Sequence, residues 1–160
     1  MKFRKPIALH HHMLLGLQSD GKDLEGVDRK IAMKMSKSKP ETAIFMTDTQ
    51  KEVQKKFNKA HCIDGIVEDN PVLEYFKFII FEKYKEIKIE RPEKFGGNLE
   101  YKSYEELETS FKDGGIKSID LKQGASKYIN ELLEPTRKHF EENKEAKELL
   151  EKVKSYEVSR

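Results

Sequence analysis

Residues 118–133 read SIDLKQGASKYINELL, and the spacing of their apolar side chains predicts the longest helix of the chain. These side chains recur at intervals of three and four residues, which places them on one face of an α-helix. The helix is predicted to begin at Ser118 or Asp120, and Pro135 allows a bend or a break beyond it. The apolar face consists of Leu121, Ala125, Tyr128, Ile129, Leu132 and Leu133. A helix with such a face packs against other elements.

A shorter helix is predicted from residue 47 onward. Thr47 or Asp48 can cap its first turn, and the apolar residues that follow recur at the spacing of one helical face. Lysines fill other positions, so this helix has an apolar side and a basic side. The apolar residues are Val53, Phe57 and Ala60, and the lysines are Lys51, Lys55, Lys56 and Lys59.

The segment between these two helices predicts a core helix, a small hairpin or an irregular excursion, and a further helix. Asn70 with Pro71 at the first helical position begins VLEYFKFIIFEKY, which is apolar on nearly every side. IKIERP and LEYKSY alternate as short strands do, and EKFGGN separates them as a turn. Ser103 and Glu106 form a capping box for the next helix, and Gly114 with the glycine after it ends that helix.

The composition limits the classes of protein to which the chain belongs. Its 160 residues fit one domain, or a domain with part of another, and its 31 Lys and Arg residues nearly balance 29 Asp and Glu residues. Cys62 is the single cysteine and cannot form an internal disulfide. No apolar run approaches the length of a membrane span or of a signal-peptide core. The cytoplasm is the expected location, and no membrane partner is expected.

The N-terminal part combines a short strand with a basic loop. Pro6–Leu9 is predicted to be a buried strand, although no upstream strand pairs with it, and residues 19–30 are predicted to be a solvated loop. RKIAMKMSKSK, residues 29–39, holds five bases and no acid, which suits a polyphosphate. The alternative is an ordinary solvated basic loop, and the residues alone leave both open.

The sequence KMSKS, residues 34–38, matches the second signature of class I aminoacyl-tRNA synthetases without a mismatch. The downstream stretches NPVLE, RPEKFGGN and DLK resemble archaeal and eukaryotic-type tyrosyl-tRNA synthetases in order and spacing. The resemblance covers roughly residues 5–140. Tryptophanyl-tRNA synthetases carry a similar lysine loop and are the nearest alternative, but they are not expected to carry these three stretches.

The resemblance implies that the loop handles ATP, which is a substrate together with Mg²⁺, and no protein-bound metal is expected. In the family, the loop stabilises the pyrophosphate leaving group, and lysines suit the negative charge that develops there. Lys34 and Lys37 are the expected catalytic residues. Met35 would place its backbone near the adenine, and Ser36 and Ser38 would shape the loop or donate hydrogen bonds to phosphate.

The resemblance also implies that a helical domain reads the anticodon of tRNA(Tyr). Phe95 falls where archaeal members present an aromatic ring to an anticodon base, and Asp120 matches a carboxylate that accepts hydrogen bonds from the first anticodon guanine. Lys117 and Ser118 replace the usual His-Pro of the archaeal family, and Lys117 suits contact with phosphate. Without the resemblance, Phe95 is expected to cover the core and Asp120 to cap a helix.

The three consecutive histidines and the cysteine have simpler interpretations. Adjacent side chains on an extended strand point to opposite faces, so His10, His11 and His12 do not converge on one metal ion. The resemblance implies that one of them lines the ATP pocket. Cys62 follows His61 at a position where the family has a cysteine after an aromatic residue, and it is expected to pack in the interior.

The expected fold is mainly α. It consists of the residual last strand of a Rossmann-type catalytic domain, the KMSKS loop, and a helical anticodon-binding domain with a small β excursion. Residues 1–46 are assigned to the catalytic remnant, residues 47–140 to the helical domain, and residues 141–160 to a charged helical tail.

Two classes of function follow from this organisation. The first is the C-terminal portion of a tyrosine–tRNA ligase, in which tyrosine and ATP bind through a missing N-terminal half and a complementing fragment supplies that half. The nucleotide-binding sheet, the His-Ile-Gly-His-type signature and the amino acid pocket are missing, so the chain alone is expected not to activate tyrosine. The second is a stand-alone tRNA- or RNA-binding module without catalysis. The intact KMSKS favours the first, because a pure RNA binder needs no pyrophosphate loop.

Overall fold

The computed structural model describes residues 7–18, 33–36 and 39–156. Its architecture confirms the predicted mainly helical fold with a small two-stranded sheet. The helices are α1 (Gln50–Asn58), α2 (Pro71–Tyr75), α3 (Phe81–Lys83), α4 (Tyr104–Lys112), α5 (Ser118–Glu142) and α6 (Lys144–Lys154), and the strands are β1 (Ile87–Ile89) and β2 (Leu99–Tyr101). A π-helical segment, Phe76–Ile80, joins α2 to α3, and short 3₁₀ helices cover Pro40–Thr42 and Glu93–Phe95.

Helix α5 lies at the centre of the core, and α1, α2, the π segment and β1 pack against it. Its predicted apolar face is buried, apart from the partly buried Leu132. The side chains of Phe57, Phe76 and Phe111 are fully buried and come from α1, the π segment and α4. Burial of each such ring contributes about 1.5–3 kcal/mol relative to exposure. The core is therefore assembled from elements spread along most of the described chain.

The β1–β2 hairpin is antiparallel, as predicted, and it sits close to α5. Its register pairs Ile87 with Tyr101 and Ile89 with Leu99. A Cβ atom at Gly124 of α5 would lie only 3.2 Å from the Ile89 side chain. The absence of a side chain at this position therefore allows the hairpin to approach the helix.

The start of α1 differs from the prediction. Its N-cap is Thr49, which forms a capping box with Glu52, whereas Thr47 or Asp48 was the predicted cap. Asp48 is instead buried, and its carboxylate contacts Lys56 Nζ at 2.6 Å and accepts the Phe45 N–H at 2.9 Å. Because the Asp48 carboxylate binds Lys56 of α1 and the Phe45 N–H, it does not cap the first turn of that helix.

The other predicted helix ends agree more closely. Asn70 caps α2, because its side-chain oxygen accepts the N–H groups of Val72 and Leu73. Ser103 caps α4, but the Glu106 carboxylate accepts the N–H of Lys102 and does not complete the capping box. Gly114, with φ of +79°, follows the end of α4 as predicted. Helix α5 continues through Pro135 to Glu142 without a break.

The N-terminus of α5 is capped from a distant loop. Its N-cap residue, Lys117, provides no side-chain cap, and the Ser118 N–H donates to Asp64 Oδ1 at 2.6 Å. Asp120 lies within the first turn, so the alternative interpretation of Asp120 as the cap is wrong. This backbone hydrogen bond holds the pKa of the Asp64 carboxyl below its usual value.

The predicted strand at Pro6–Leu9 is not seen in its described part. Ile7 and Leu9 are 92% and 91% exposed and belong to no strand, since no described segment lies beside them to accept their backbone hydrogen bonds. Pairing begins later, where Leu15 forms an isolated antiparallel bridge with Lys34. The Rossmann remnant and the domain boundaries remain predictions, and residues 19–30 lie outside the described part of the chain.

The charged tail forms α6, which Asn143 caps and which packs on α5. Leu149 and Val153 of its apolar stripe remain exposed. Within the described ranges, no helix combines the length and apolar character that crossing a membrane requires.

Replacing Asp64 with Ala should remove the cap of α5. We expect the free energy of unfolding at pH 7 to fall by about 0.5–2 kcal/mol. Because the folded pKa of Asp64 is lowered, its contribution is fully present above the ordinary aspartate pKa and is lost as the pH falls through the folded value. Urea unfolding of both proteins at several pH values should show the difference shrinking in acid.

The matched control is Glu68→Ala, which removes an exposed carboxylate from the same loop. It should change stability by less than about 0.5 kcal/mol. Equal losses for the two variants at pH 7 would contradict the capping role of Asp64.

Candidate functional site

The base of the lysine loop is a tight backbone turn. Ser36 C=O accepts the Lys39 N–H at 3.1 Å, and the Thr42 hydroxyl donates to the Lys39 carbonyl at 2.8 Å. Lys34 is exposed, and its backbone pairs with Leu15. Lys37 and Ser38, which were also predicted to handle phosphate, lie outside the described residues.

Helix α2 holds both sides of this loop base. The Glu74 carboxylate accepts the Leu15 N–H at 2.7 Å and contacts His12 Nε2 at 3.0 Å. On the neighbouring residue, the Tyr75 hydroxyl points at Met35 Sδ, 3.9 Å away. The described part of the KMSKS sequence is therefore fixed to the helical part of the molecule by two consecutive side chains.

A cleft of about 710 Å³ opens beside Lys34. The His12 ring stacks on Phe78 with a centroid separation of 3.9 Å and lines this cleft, whereas His10 and His11 are exposed and do not line it. Apolar side chains, cations and carboxylates line the cleft together, which gives it a mixed apolar and polar character. Its lining includes His12, Lys34, Asn70, Glu74, Lys77 and Phe78.

Candidate metal ligands and the lone cysteine were the remaining chemical possibilities of the sequence. No group of three or more His, Cys, Asp or Glu side chains there is placed to hold an ion. Cys62 is half-buried against the core, where Asn70 Nδ2 lies 3.4 Å from its sulfur. Burial raises the pKa of the Cys62 thiol, which therefore stays protonated and is a poor nucleophile.

Phe95 is presented to solvent at the tip of the hairpin. It ends the short 3₁₀ helix and is 60% exposed, so the alternative in which it covers the core is wrong. The next residue, Gly96, has φ of +97°, a left-handed conformation that turns the chain immediately after the ring. Lys94 Nζ lies 4.9 Å from the centre of the Phe95 ring. An exposed ring on a tight turn is suited to stacking.

Arg91 joins this turn to the first turn of α5. Its Nε donates to Gly97 C=O at 3.1 Å, and its Nη1 donates to Gly115 C=O at 3.2 Å. The same Nη1 lies 3.7 Å from Asp120 Oδ2. The Arg91 and Asp120 side chains are only 9% and 14% exposed. One guanidinium thus brings together the segments that carry Phe95, Lys117 and Asp120.

The sequence reasoning missed Arg91. The residue lies in RPEKFGGN, the stretch used for recognition, but nothing local indicates that its side chain spans to Gly115, 24 positions away. The only available signal was the arginine itself, because its planar guanidinium can donate to several acceptors at once, together with the two glycine pairs at residues 96–97 and 114–115. Lys117, the third residue predicted to contact tRNA, is exposed, as contact with phosphate would require. It directly precedes Ser118, whose N–H donates to Asp64.

Comparison with known proteins assigns the chain to a group of enzymes. The model of the family "tRNA synthetases class I (W and Y)" matches residues 2–134. The chain is 47% identical over 156 residues to the cytoplasmic tyrosine–tRNA ligase 2 of Arabidopsis thaliana, covering 98% of this chain and 19% of that protein. It is 41% identical over 155 residues to a tyrosine–tRNA ligase of Saccharolobus islandicus, covering 94% of this chain and 43% of that protein.

Solved structures give the same result. The chain superposes on the tyrosyl-tRNA synthetase of Pyrococcus horikoshii complexed with L-tyrosine with a TM-score of 0.79 and 41% identity, covering 89% of this chain and 40% of that chain. The synthetase of Aeropyrum pernix gives a TM-score of 0.75 and 33% identity, covering 96% and 41%. The chain therefore spans less than half the length of the relatives it matches.

Replacing Arg91 with Ala should destabilise the hairpin side of the molecule. The change removes charged hydrogen bonds to two carbonyls and leaves Asp120 without its cation, so we expect a loss of about 1.5–3 kcal/mol in unfolding free energy. Arg91→Lys should recover only part of this loss, because an ammonium cannot span both carbonyls with a planar fork. Lys94→Ala removes a charge from the same turn, and a loss as large as that of Arg91→Ala would contradict the bridging role.

Proposed function

Because the chain belongs to the class I tRNA synthetases of the tryptophan and tyrosine group, we propose that it supplies the pyrophosphate-handling loop and the anticodon-reading surface of a tyrosine–tRNA ligase. Its resemblance is to the archaeal and eukaryotic-type tyrosyl enzymes. This similarity favours tyrosine over tryptophan as the amino acid. The observation that carries the anticodon part is the Arg91 bridge, which joins the exposed Phe95 turn to the Asp120 turn.

The anticodon surface combines a stacking platform with an acceptor. Stacking of an unpaired base on the Phe95 ring would contribute about 1–3 kcal/mol and would discriminate little between bases. Discrimination falls to Asp120, because a carboxylate only accepts hydrogen bonds and the Watson–Crick edge of guanine offers donors. Arg91 Nη1 lies 3.7 Å from Asp120 Oδ2, and the other carboxylate oxygen would accept the hydrogen bonds of the base. Lys117 adds phosphate contact without sequence information.

The loop acts at the other end of the chain. Lys34 and Lys37 would stabilise the negative charge that moves onto pyrophosphate as the tyrosine carboxylate attacks the α-phosphate of ATP. Met35 would contribute its backbone near adenine, and Ser36 and Ser38 would donate to phosphate or shape the loop. Magnesium arrives with ATP as part of the substrate. Tyrosine and the rest of the ATP site would be bound by a nucleotide-binding domain that the chain complements.

Replacing Asp120 with Ala should relax selection at the first anticodon base. We expect the affinity for tRNA(Tyr) to fall by about 1–3 kcal/mol, while a tRNA with another first anticodon base should lose far less. Filter binding with the two tRNAs measures the difference directly. Phe95→Ala is the comparison, because loss of stacking should weaken both tRNAs about equally. Equal losses for both tRNAs in the Asp120 variant would contradict base readout.

Replacing Lys37 with Ala should slow adenylate formation in a complete synthetase that contains these residues. Loss of one charged contact to the leaving group would cost about 2–4 kcal/mol of transition-state stabilisation, or roughly 30- to 1,000-fold in rate. ATP–pyrophosphate exchange measures this step, and Lys34→Ala should have a similar effect. Lys39→Ala, just outside KMSKS, is the control. Unchanged exchange in the Lys37 variant would contradict the catalytic role of this residue.

A further inference from the structure

A second concave surface lies between α1, β1 and the N-terminal half of α5. This groove has a volume of about 500 Å³. Every side chain that lines it is polar or charged, unlike the mostly apolar lining of small-molecule sites. Its principal lining side chains are the amides of Gln54, Gln123 and Asn130 and the cations of Lys51, Lys88 and Lys127.

Hydrogen bonds between the three elements fix the shape of the groove. Asn130 Nδ2 donates to the Gln50 carbonyl at 3.4 Å, which ties α5 to α1. The Tyr128 hydroxyl accepts the Lys88 N–H at 2.6 Å and donates to the Lys88 carbonyl at 3.2 Å, which ties α5 to β1. The groove therefore exists before any ligand binds, and a ligand need not order its walls.

The charges of the groove favour an anionic occupant. Three lysines and one glutamate, Glu90, line it. Lys127 Nζ binds Glu90 at 2.7 Å, and Lys88 Nζ lies 3.1 Å from Glu100. Lys51 is exposed on α1 and forms no ion pair with a carboxylate in the described ranges. Of the four lysines on the predicted basic side of α1, Lys51 thus lines this groove as a cation that no described carboxylate pairs.

The groove adjoins the anticodon surface on two elements. Gln123 follows Asp120 by three residues, which is nearly one turn of α5, so the two side chains lie on neighbouring parts of the same helix face. On the hairpin, Glu90 directly precedes Arg91, which contacts Asp120. A chain whose base reached Asp120 would find this groove as the next concave surface.

We propose that the sugar–phosphate backbone of the RNA next to the anticodon lies in this groove, with Lys51 and Lys127 contacting phosphates and the amides of Gln54 and Gln123 contacting phosphate or ribose hydroxyls. This inference rests on the proposed anticodon function. Amides both donate and accept, which matches ribose 2′-hydroxyls, whereas the carboxylate side chains of an acidic peptide only accept. RNA is therefore favoured over an acidic protein as the occupant.

The test compares salt dependence of tRNA binding by the 160-residue chain. Fluorescence anisotropy with labelled tRNA(Tyr) should be recorded at several salt concentrations for Lys51→Gln, Lys127→Gln and the double variant. Each lost phosphate contact should lower the slope of log affinity against log salt by about 0.7–0.9. The loss of affinity should be the same for a tRNA with another first anticodon base, because phosphate contacts carry no sequence information.

Two lysines of α6 provide matched controls. Lys152 is exposed without an ion pair to any described carboxylate, like Lys51, and Lys144 lies 3.8 Å from Glu148, as Lys127 lies near Glu90. Lys152→Gln and Lys144→Gln should leave the slope within error of the starting protein. The two α6 changes combined in one protein are the control for the double groove variant. If these two double variants show the same slope of log affinity against log salt, the proposal is overturned.

The remaining outcomes separate this inference from the proposed function. If the groove variants keep the slope while Asp120→Ala still relaxes base selection, the groove inference fails and the anticodon function stands. If the chain binds no tRNA, both fail. Competition with polyglutamate tests for an acidic polypeptide. If polyglutamate displaces tRNA(Tyr) from the starting protein as effectively as unlabelled tRNA, but does not displace it from the double groove variant, the occupant is an acidic polypeptide. That result would overturn the RNA assignment.

Discussion

The apolar face of α5 is the surface on which the arrangement of the described helical core depends. Helix α1, helix α2 and the hairpin all pack on it, and Gly124 lets Ile89 approach to a distance that a side chain at this position would obstruct. Because close packing fixes side chains in single positions, this face also fixes the position of the hairpin tip relative to the first turn of α5. Both the Arg91 bridge and the polar groove exist only because those two elements are held together.

A second constraint joins the lysine loop to the helices. The buried Asp48 carboxylate accepts from Lys56 Nζ and from the Phe45 N–H, and Lys56 Nζ also donates to Ala43 C=O at 2.9 Å. From α5, Arg137 Nε donates to the Asp48 carbonyl at 2.8 Å. Buried pairs of this kind add little net stability but make alternative geometries costly, because a broken pair leaves an uncompensated charge. The segment that follows the loop therefore enters α1 in one defined path.

Much of the fold follows from local sequence signals. The apolar spacing of α5, the Asn70–Pro71 start of α2 and the hairpin turn depend on neighbouring residues, and the structure agrees with each. The misses are contacts between distant parts of the chain. Asp64 caps a helix 54 positions away, and Arg91 reaches Gly115 across the hairpin, so neither role is visible in a local pattern. The π-helical turn at Phe76–Ile80 likewise has no distinguishing spacing in an all-round apolar helix.

The candidate site also has a part that local sequence predicts and a part that depends on contacts between distant residues. KMSKS and the stretches that carry the resemblance predict which residues meet ATP and the anticodon, but they do not show which contacts hold the described residues in place. The Glu74 carboxylate is shared between the His12 ring and the Leu15 N–H, and Leu15 in turn pairs with Lys34. Both oxygens of the Glu74 carboxylate are therefore engaged, and through them the position of α2 is linked to the position of the loop base. Under the proposed function, the helical unit that carries the anticodon surface is therefore also the frame from which the phosphate-handling loop is positioned, through this one carboxylate.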